Sequence, residues 1–166
     1  MASYTINNTN AGTQQNIPTT INGTNSAILQ AAATTGATTL RRIWWTEFEW
    51  GANNVPNAVD CPIILDMSKF TAAATATSLT PVPTDTGGGD AVALGTYTAN
   101  GTTAGTYTAS SSVFTKSINQ RASDKQWWRD KATCPIIPAV NANGLGIRVY
   151  STNYASTVLV QASVEE

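Results

Sequence analysis

The residues best suited to acid–base chemistry are Glu47 and Glu49, which lie two positions apart in an aromatic-rich segment. On a β-strand such a pair shares one face at a separation of about 7 Å, which suits the two carboxylates of a glycosidase. Those carboxylates normally project from different elements into a deep cleft, and no other residue pattern here indicates a cleft. The chain also has no histidine, the most common general base. We therefore interpret both glutamates as acids on a wet or interfacial strand face, and predict that the chain is not an enzyme.

Metal and phosphate sites are not indicated either. Four acids could in principle ligate calcium, but they form no dense loop of oxygen ligands: Asp60, Asp66, Asp85 and Asp90. The triplet Gly87–Gly89 lacks the Lys-Ser or Lys-Thr that completes a phosphate-binding loop. We expect ordinary loop and strand-end acids, and no metal or cofactor.

The two cysteines stand in the same tetrapeptide, Cys-Pro-Ile-Ile, at Cys61 and Cys134. Two thiols without a histidine cannot complete a four-ligand structural zinc site. One interpretation is a pair of small buried side chains at the starts of strands. The other is a disulfide, which cytosolic synthesis disfavours but later oxidising conditions would permit. The sequence leaves both open.

Composition restricts the partners. Only 11% of the 166 residues are charged and the net charge is −1, while 42% are hydrophobic. A charge-poor surface gains little electrostatic solubility and is often covered by a partner. The basic residues form no stripe that would neutralise phosphates, so nucleic-acid binding is disfavoured. No apolar run reaches the ~18 residues that span a bilayer, and residues 1–6 lack the basic and apolar regions of a signal peptide.

Residues 1–25 differ in composition from the rest of the chain. They are polar and rich in Asn and Thr, with few apolar anchors such as Tyr4 and Ile6. Such a segment buries too little surface to offset its ordering entropy. We predict an extended N-terminal arm or edge strand, held by a neighbour and dispensable for folding. One β-sandwich domain over residues 26–166 is expected to follow.

Residues 40–50 are the strongest strand candidate. We predict a core face and a mixed, interfacial face: Leu40, Trp44, Phe48 and Trp50 on the first, and Ile43, Trp45, Glu47 and Glu49 on the second. Adjacent residues of a strand point to opposite faces. One member of each pair, Trp44-Trp45 and Trp127-Trp128, is therefore expected to anchor the core. The other would point outward as an interface anchor or a sugar-stacking platform.

Further strand candidates lie at residues 59–67, 112–119, 146–151 and 157–164, whereas residues 27–33 fit a short helix or a strand equally. The unit Gly-Thr-Tyr-Thr-Ala begins at Gly95 and again at Gly105, which predicts a hairpin turning at Asn100-Gly101. About seven to nine short strands with turn signals and no sustained helical period predict an all-β fold. We expect an antiparallel β-sandwich or jelly roll.

Several segments resemble the small structural proteins of tailed-bacteriophage virions. The stretch Ser117–Ser123 (SINQRAS) precedes Trp127-Trp128, and an apolar Pro-Ala turn then leads into the Gly-x-Gly-x-Arg strand at Gly144–Arg148. The chain ends in Ala-Ser-Val-Glu-Glu. The early Arg41-Arg42-Ile43 strand that runs into Phe48–Gly51 also resembles those proteins. The resemblance spans residues 40–166.

The resemblance implies a capsid decoration (cement) protein, which is a non-enzymatic β-sandwich located in the virion after synthesis in the host cytoplasm. It would form a homotrimer and bind the major capsid protein on the outer capsid surface, stabilising the head. The contacts are expected from the arm and from the following side chains: Tyr4, Ile6, Arg41, Arg42, Trp45 and Trp128. Two alternatives stay open, namely a carbohydrate-binding or receptor-facing virion domain, and a tail or neck structural protein.

Overall fold

The described part of the chain contains twelve β-strands and one short 3-10 turn. The computed structural model describes residues 2–11, 27–33, 41–85, 92–103, 105–140, 142–154 and 157–166. The strands are β1 Ser3–Asn7, β2 Leu29–Ala32, β3 Ile43–Ala52, β4 Pro62–Ala72, β5 Thr77–Leu79, β6 Val82–Pro83, β7 Thr96–Ala99, β8 Thr106–Asn119, β9 Ser123–Trp127, β10 Ile136–Ile137, β11 Gly144–Tyr150 and β12 Val158–Glu165. The 3-10 turn covers Asn8–Ala11.

The strands form two antiparallel sheets packed face to face. Sheet I has the order β6-β1-β12-β3, and β9 and β10 pair one after the other along the far edge of β3. Sheet II has the order β5-β7-β2-β11-β4-β8. The predicted all-β sandwich is confirmed. The strands are more numerous than predicted among the described residues, and several are long, since β3, β4 and β8 contain 10, 11 and 14 residues.

The core lies between the inward faces of the two sheets. Along β12 the predicted alternation is confirmed, because Val158, Val160, Ala162 and Val164 are each at most 1% exposed. Ile147 and Val149 of β11 alternate in the same way. Full burial of such a side chain stabilises the fold by roughly 1.5–3 kcal/mol. These repeated contributions hold the sheets together.

The N-terminal residues belong to the sandwich. Strand β1 pairs with β12 along its whole length, with Tyr4 opposite Val164 and Ile6 opposite Ala162. Both side chains are 1% exposed, so residues 3–7 form a strand of the sandwich and not an extended arm. The edge-strand alternative is closer, because only the two-residue β6 lies beyond β1. Residues 12–25 of the predicted arm lie outside the described residues.

The two repeated Gly-Thr-Tyr-Thr-Ala units do not pair with each other. Strand β7 pairs with β2 and β5, whereas β8 pairs with β4 at the opposite edge of sheet II. The predicted hairpin is therefore wrong. Asn100 has a positive φ of 52°, but its N–H donates to the Ile28 carbonyl and its Nδ2 donates to the Asn8 carbonyl. The bond to Ile28, with that from the Gly101 N–H to the Ala27 carbonyl, continues the pairing of β7 with β2 beyond Ala99, so the chain does not turn back here. Residues 29–32, left open between helix and strand, form β2.

A buried carboxylate joins the end of the chain to sheet II. The Glu166 side chain accepts hydrogen bonds from the N–H groups of Leu94 and Gly95, at 2.8 and 2.7 Å, and from the Tyr97 hydroxyl at 2.7 Å. Burial, together with this bond to Glu166, raises the pKa of Tyr97. A Cβ on Gly95 would lie 2.7 Å from Ile43 Cδ1 and 2.9 Å from Glu166 Oε1, so a larger residue would displace these side chains.

The role of β1 in the core can be tested with two neighbouring substitutions. We expect Ile6→Ala to reduce the free energy of unfolding by about 2–5 kcal/mol, because it leaves a cavity in the core. Thr5→Ala is the control, since Thr5 points to the opposite face and is only half-buried; it should change stability by less than about 0.5 kcal/mol. Urea unfolding measures both values. Equal, small effects would show that the N-terminal residues do form a loosely held arm.

Candidate functional site

A β-bulge in β3 determines which aromatic side chains reach the surface. Ser163 of β12 pairs with Glu47 and Val164 pairs with Trp45, so Thr46 has no partner opposite it. The extra residue is satisfied locally, because its hydroxyl donates to the Ser163 carbonyl at 3.1 Å and its carbonyl accepts from the N–H of Trp128. A bulge of one residue reverses the alternation of side chains along the strand.

The reversal gives β3 an unusual core pattern. Ile43 and Trp45 point inward before the bulge, and Phe48 and Trp50 point inward after it, all at most 1% exposed. Trp44 is left on the outer face. The predicted core face was therefore correct for Phe48 and Trp50. It was wrong for Trp44 and for the inward residues Ile43 and Trp45, while Leu40 lies outside the described residues.

The second tryptophan pair is divided in the same way. Trp127 is the last residue of β9, pairs with Glu47 on the outer face and is 52% exposed. Trp128 turns inward, where its ring lies 5.7 Å from that of Phe48 and 6.2 Å from that of Phe114. Each pair thus places one indole against the core and one outward, as predicted. The outward members are Trp44 and Trp127, and the prediction that Trp45 and Trp128 point outward was wrong.

Trp44, Trp127 and Ile136 lie on the outer face of sheet I, where Trp127 and Ile136 are exposed and Trp44 is partly buried. We call this apolar patch the tryptophan face. Ile136 pairs directly with Trp44 across β10 and β3 and is 37% exposed. Trp127 pairs with Glu47, the next outward residue of β3 after Trp44. A flat sheet surface that carries two outward indoles suits contact with another molecule, because tryptophan is enriched at the energetic centres of interfaces.

Charged side chains surround the tryptophan face. The Arg129 guanidinium lies 5.2 Å from the ring centroid of Trp127, and the Lys131 ammonium lies 5.5 Å from that of Trp44. Lys131 also pairs with Glu165. Such cation–π contacts at exposed sites contribute about 0.5–1 kcal/mol. They hold the two indoles in place, with arginine and tryptophan side by side.

The two glutamates considered for acid–base chemistry lie on this same outer face. The Glu47 carboxylate is 2.8 Å from the Lys125 ammonium, and that hydrogen bond raises the pKa of Lys125. Glu49 is exposed on the outer face of β3 and pairs in register with Lys125 and Gln161. This geometry is a flat, solvent-facing ladder of charges. It agrees with the interpretation of two acids on a wet strand face.

The six predicted contact residues differ in position. Tyr4, Ile6 and Trp45 are at most 1% exposed, so the prediction that these side chains meet a partner is wrong. Trp128 is partly buried against the core. Arg41 and Arg42 are exposed immediately before β3, and their contact role stays a prediction. Sequence reasoning missed Trp44 and Trp127 as the outward indoles, because nothing in the sequence marks the bulge at Thr46.

A second polar cluster lies on the outer face of sheet II. Arg148 Nη2 is 2.6 Å from Asp66 Oδ2, and these side chains are only 11% and 8% exposed. Burial alone would raise the pKa of Asp66, but hydrogen bonds from Ser68, Ser112 and Arg148 outweigh it, so the pKa is lowered. The arginine neutralises this carboxylate. Asp60 likewise pairs with Arg121, at 2.7 Å.

The Gly-x-Gly-x-Arg strand is explained by packing around this cluster. A Cβ on Gly146 would lie 2.5 Å from the Tyr107 hydroxyl, and one on Gly144 would overlap the ring of Phe70. The two aromatic rings meet edge to face at 5.9 Å, and the Arg148 guanidinium stacks 4.1 Å from the Tyr107 centroid. The glycines therefore make room for an aromatic pair on which the arginine rests.

Other sites are not found among the described residues. No group of three or more Cys, Asp or Glu side chains there converges to hold a metal ion. Both cysteines are free and buried, and Cys61 immediately precedes β4, as the strand-start interpretation predicted. No helix in the described ranges is long and apolar enough to cross a bilayer. Comparison with protein-family models, with curated proteins and with solved structures found no match to the chain.

The two tryptophan roles can be separated by unfolding measurements. Trp45→Ala should reduce the free energy of unfolding by about 3–5 kcal/mol, because it opens a large cavity between the sheets. Trp127→Ala should change it by less than about 1 kcal/mol, the cation–π contact with Arg129 included. Guanidinium unfolding followed by tryptophan fluorescence measures both. Comparable losses in the two variants would contradict the assignment of inward and outward indoles.

The buried ion pair predicts a stability difference that depends on pH. Arg148→Ala should destabilise the protein by about 3–5 kcal/mol, because it leaves a buried carboxylate without its ion-pair partner. Arg121→Ala removes an exposed pair and should cost less than about 1 kcal/mol.

The pH dependence follows from the lowered pKa of Asp66. The stabilisation is complete above the unfolded value of about 3.9 and is lost as pH falls through the folded pKa. The gap between wild type and Arg148→Ala should therefore narrow in acid. A gap that stays constant down to the acid transition would rule out the ion pair as its source.

Proposed function

We propose that this chain is a non-enzymatic structural protein of a tailed-phage virion, and that it binds the outer capsid surface as a decoration protein. The observation that carries the proposal is the tryptophan face. Two indoles and an arginine lie together on the outer face of one sheet, and tryptophan and arginine are enriched among the residues that dominate interface binding energy. The sequence resemblance is the reason for proposing the virion as the location and the major capsid protein as the partner.

The fold suits a protein that acts by binding. Glu47 and Glu49 lie on an open sheet face and not in the cleft that glycosidase carboxylates require. Asp66 forms an ion pair with Arg148. A ligand that binds only the assembled shell stabilises it by mass action. In this proposal the tryptophan face covers the shell surface and lowers the free energy of the mature head.

The decoration protein is proposed to be a homotrimer. Only 11% of the residues are charged, which leaves polar but weakly charged surface between neighbouring copies. A trimer would multiply the contacts with the shell, because linked sites bind with a high effective concentration.

A saccharide is the second candidate partner for the tryptophan face. Trp127 is half exposed, and Glu47, Lys125 and Ser163 supply hydrogen-bonding groups on neighbouring outward positions. A sugar site needs an exposed ring beside donors and acceptors. A glycan-array signal that Trp127→Ala abolishes, while binding to phage heads is unchanged, would favour this receptor-facing function.

Binding to heads tests the proposal directly. Purified protein is mixed with phage heads that lack it, and bound protein is measured after sedimentation. Wild type should bind, and Trp127→Ala should raise the dissociation constant about thirtyfold, as expected for loss of a 2 kcal/mol hot spot. Val55→Ala is the control, because Val55 is 81% exposed in the loop after β3 and should bind as wild type does.

Four results would count against the proposal. Failure of the wild type to bind heads would reject decoration, and labelling at the tail or neck by electron microscopy would replace it with the corresponding structural role. Equal binding by Trp127→Ala would remove the tryptophan face as the contact. Light scattering that gives a monomer at every concentration would reject the trimer.

A further inference from the structure

The lysines and arginines of the chain fall into two groups, those that form ion pairs with carboxylates and those that do not. Five of the nine lysines and arginines form ion pairs with carboxylates: Lys116, Arg121, Lys125, Lys131 and Arg148. Among the described residues, the other four have no acidic partner: Arg41, Arg42, Lys69 and Arg129. Four unpaired cations are notable in a chain with a net charge of −1.

All four unpaired cations lie around β10. Arg41 and Arg42 immediately precede Ile43, which pairs with Ile137 of β10. Lys69 lines a shallow hollow together with Ile136 and Pro138. Arg129 stacks on Trp127 in the segment between β9 and β10. We call these four side chains the basic rim, because they border the tryptophan face at its β10 end.

The acids nearest to the basic rim are already engaged. Glu165 pairs with Lys131, and the Asp130 carboxylate accepts the N–H of Ala132 at 3.0 Å. Glu47 pairs with Lys125. Asp130 keeps its charge beside Arg129, but no carboxylate of the described residues forms an ion pair with a rim cation. The rim side chains are exposed beside Ile136 and Trp127.

We infer that the basic rim binds an acidic segment of the capsid protein, one that places carboxylates against Arg41, Arg42, Lys69 and Arg129 and apolar side chains against the tryptophan face. This inference rests on the proposed function and names the chemistry of its partner. The argument is charge complementarity, since opposite potentials steer association and suppress wrong partners. Arginine beside an exposed indole suits carboxylate recognition, because its guanidinium can bond both oxygens of the group.

The test uses the full chain and phage heads that lack it. Association should weaken as salt rises, because exposed charges are screened over about 8 Å at physiological ionic strength. Each single substitution, Arg41→Gln, Arg42→Gln, Lys69→Gln or Arg129→Gln, should raise the dissociation constant about twofold, and the combined variant at least about tenfold. The combined variant should also lose most of the salt dependence.

Arg121→Gln is the matched control. It removes one positive charge at the opposite end of sheet I, beside Gly51 and Ala122, and should bind heads as wild type does. The rim side chains are exposed and have no ion partners, so their variants should unfold close to the wild-type denaturant midpoint. Arg129→Gln should unfold slightly lower, because it loses the cation–π contact with Trp127. That measurement separates lost contact from lost folding.

The outcomes distinguish the two proposals. If wild type binds heads while the rim variants bind equally well, or if Arg121→Gln weakens binding as much, the acidic epitope is rejected and decoration stands. If the wild-type protein does not bind phage heads, both proposals fail. Rim-dependent retention on an immobilised acidic polysaccharide, without head binding, would assign the rim to a glycan and also overturn both.

Discussion

The extra residue in β3 is the constraint on which the surface of this protein depends. Thr46 lets Trp45 and Phe48, three positions apart, point into the same core. Without the bulge, regular alternation would force either the first or the second half of the β3 aromatics into solvent. The carbonyl of Thr46 also accepts the N–H of Trp128, which fixes where β9 ends. The bulge therefore decides that Trp44 and Trp127 share the outer face.

The core of the sandwich is separate from the tryptophan face. Its core is closed by aliphatic alternation on β11 and β12, by the aromatic cluster of Phe48, Trp50 and Phe114, and by the Glu166 carboxylate. The outer face of sheet I contributes little to that core, so it can carry indoles and unpaired arginines at small cost in stability. A rigid, flat surface loses little conformational entropy when it binds another flat surface.

Much of the fold was predictable, because it depends on local patterns. The alternation of Val158 to Val164 and the absence of helical periodicity predict strands and a sandwich. The N-terminal residues were left open between an arm and an edge strand because Tyr4 and Ile6 are the only large apolar residues of β1, and β12 supplies the surface that buries them. The hairpin prediction failed for a related reason. Repeated sequence units and a turn dipeptide indicate strands, but pairing depends on which neighbours complete the sheet.

The sequence by itself determined the class of fold, the division of each tryptophan pair between core and surface, and the scarcity of charge. These properties follow from side-chain chemistry and the twofold period of a strand. Only the tertiary structure decided which tryptophan of each pair faces outward, because a bulge is a mismatch between two strands and leaves no mark on either sequence. It also decided that Arg41, Arg42, Lys69 and Arg129 gather around β10, since residues far apart in the chain meet only through sheet packing.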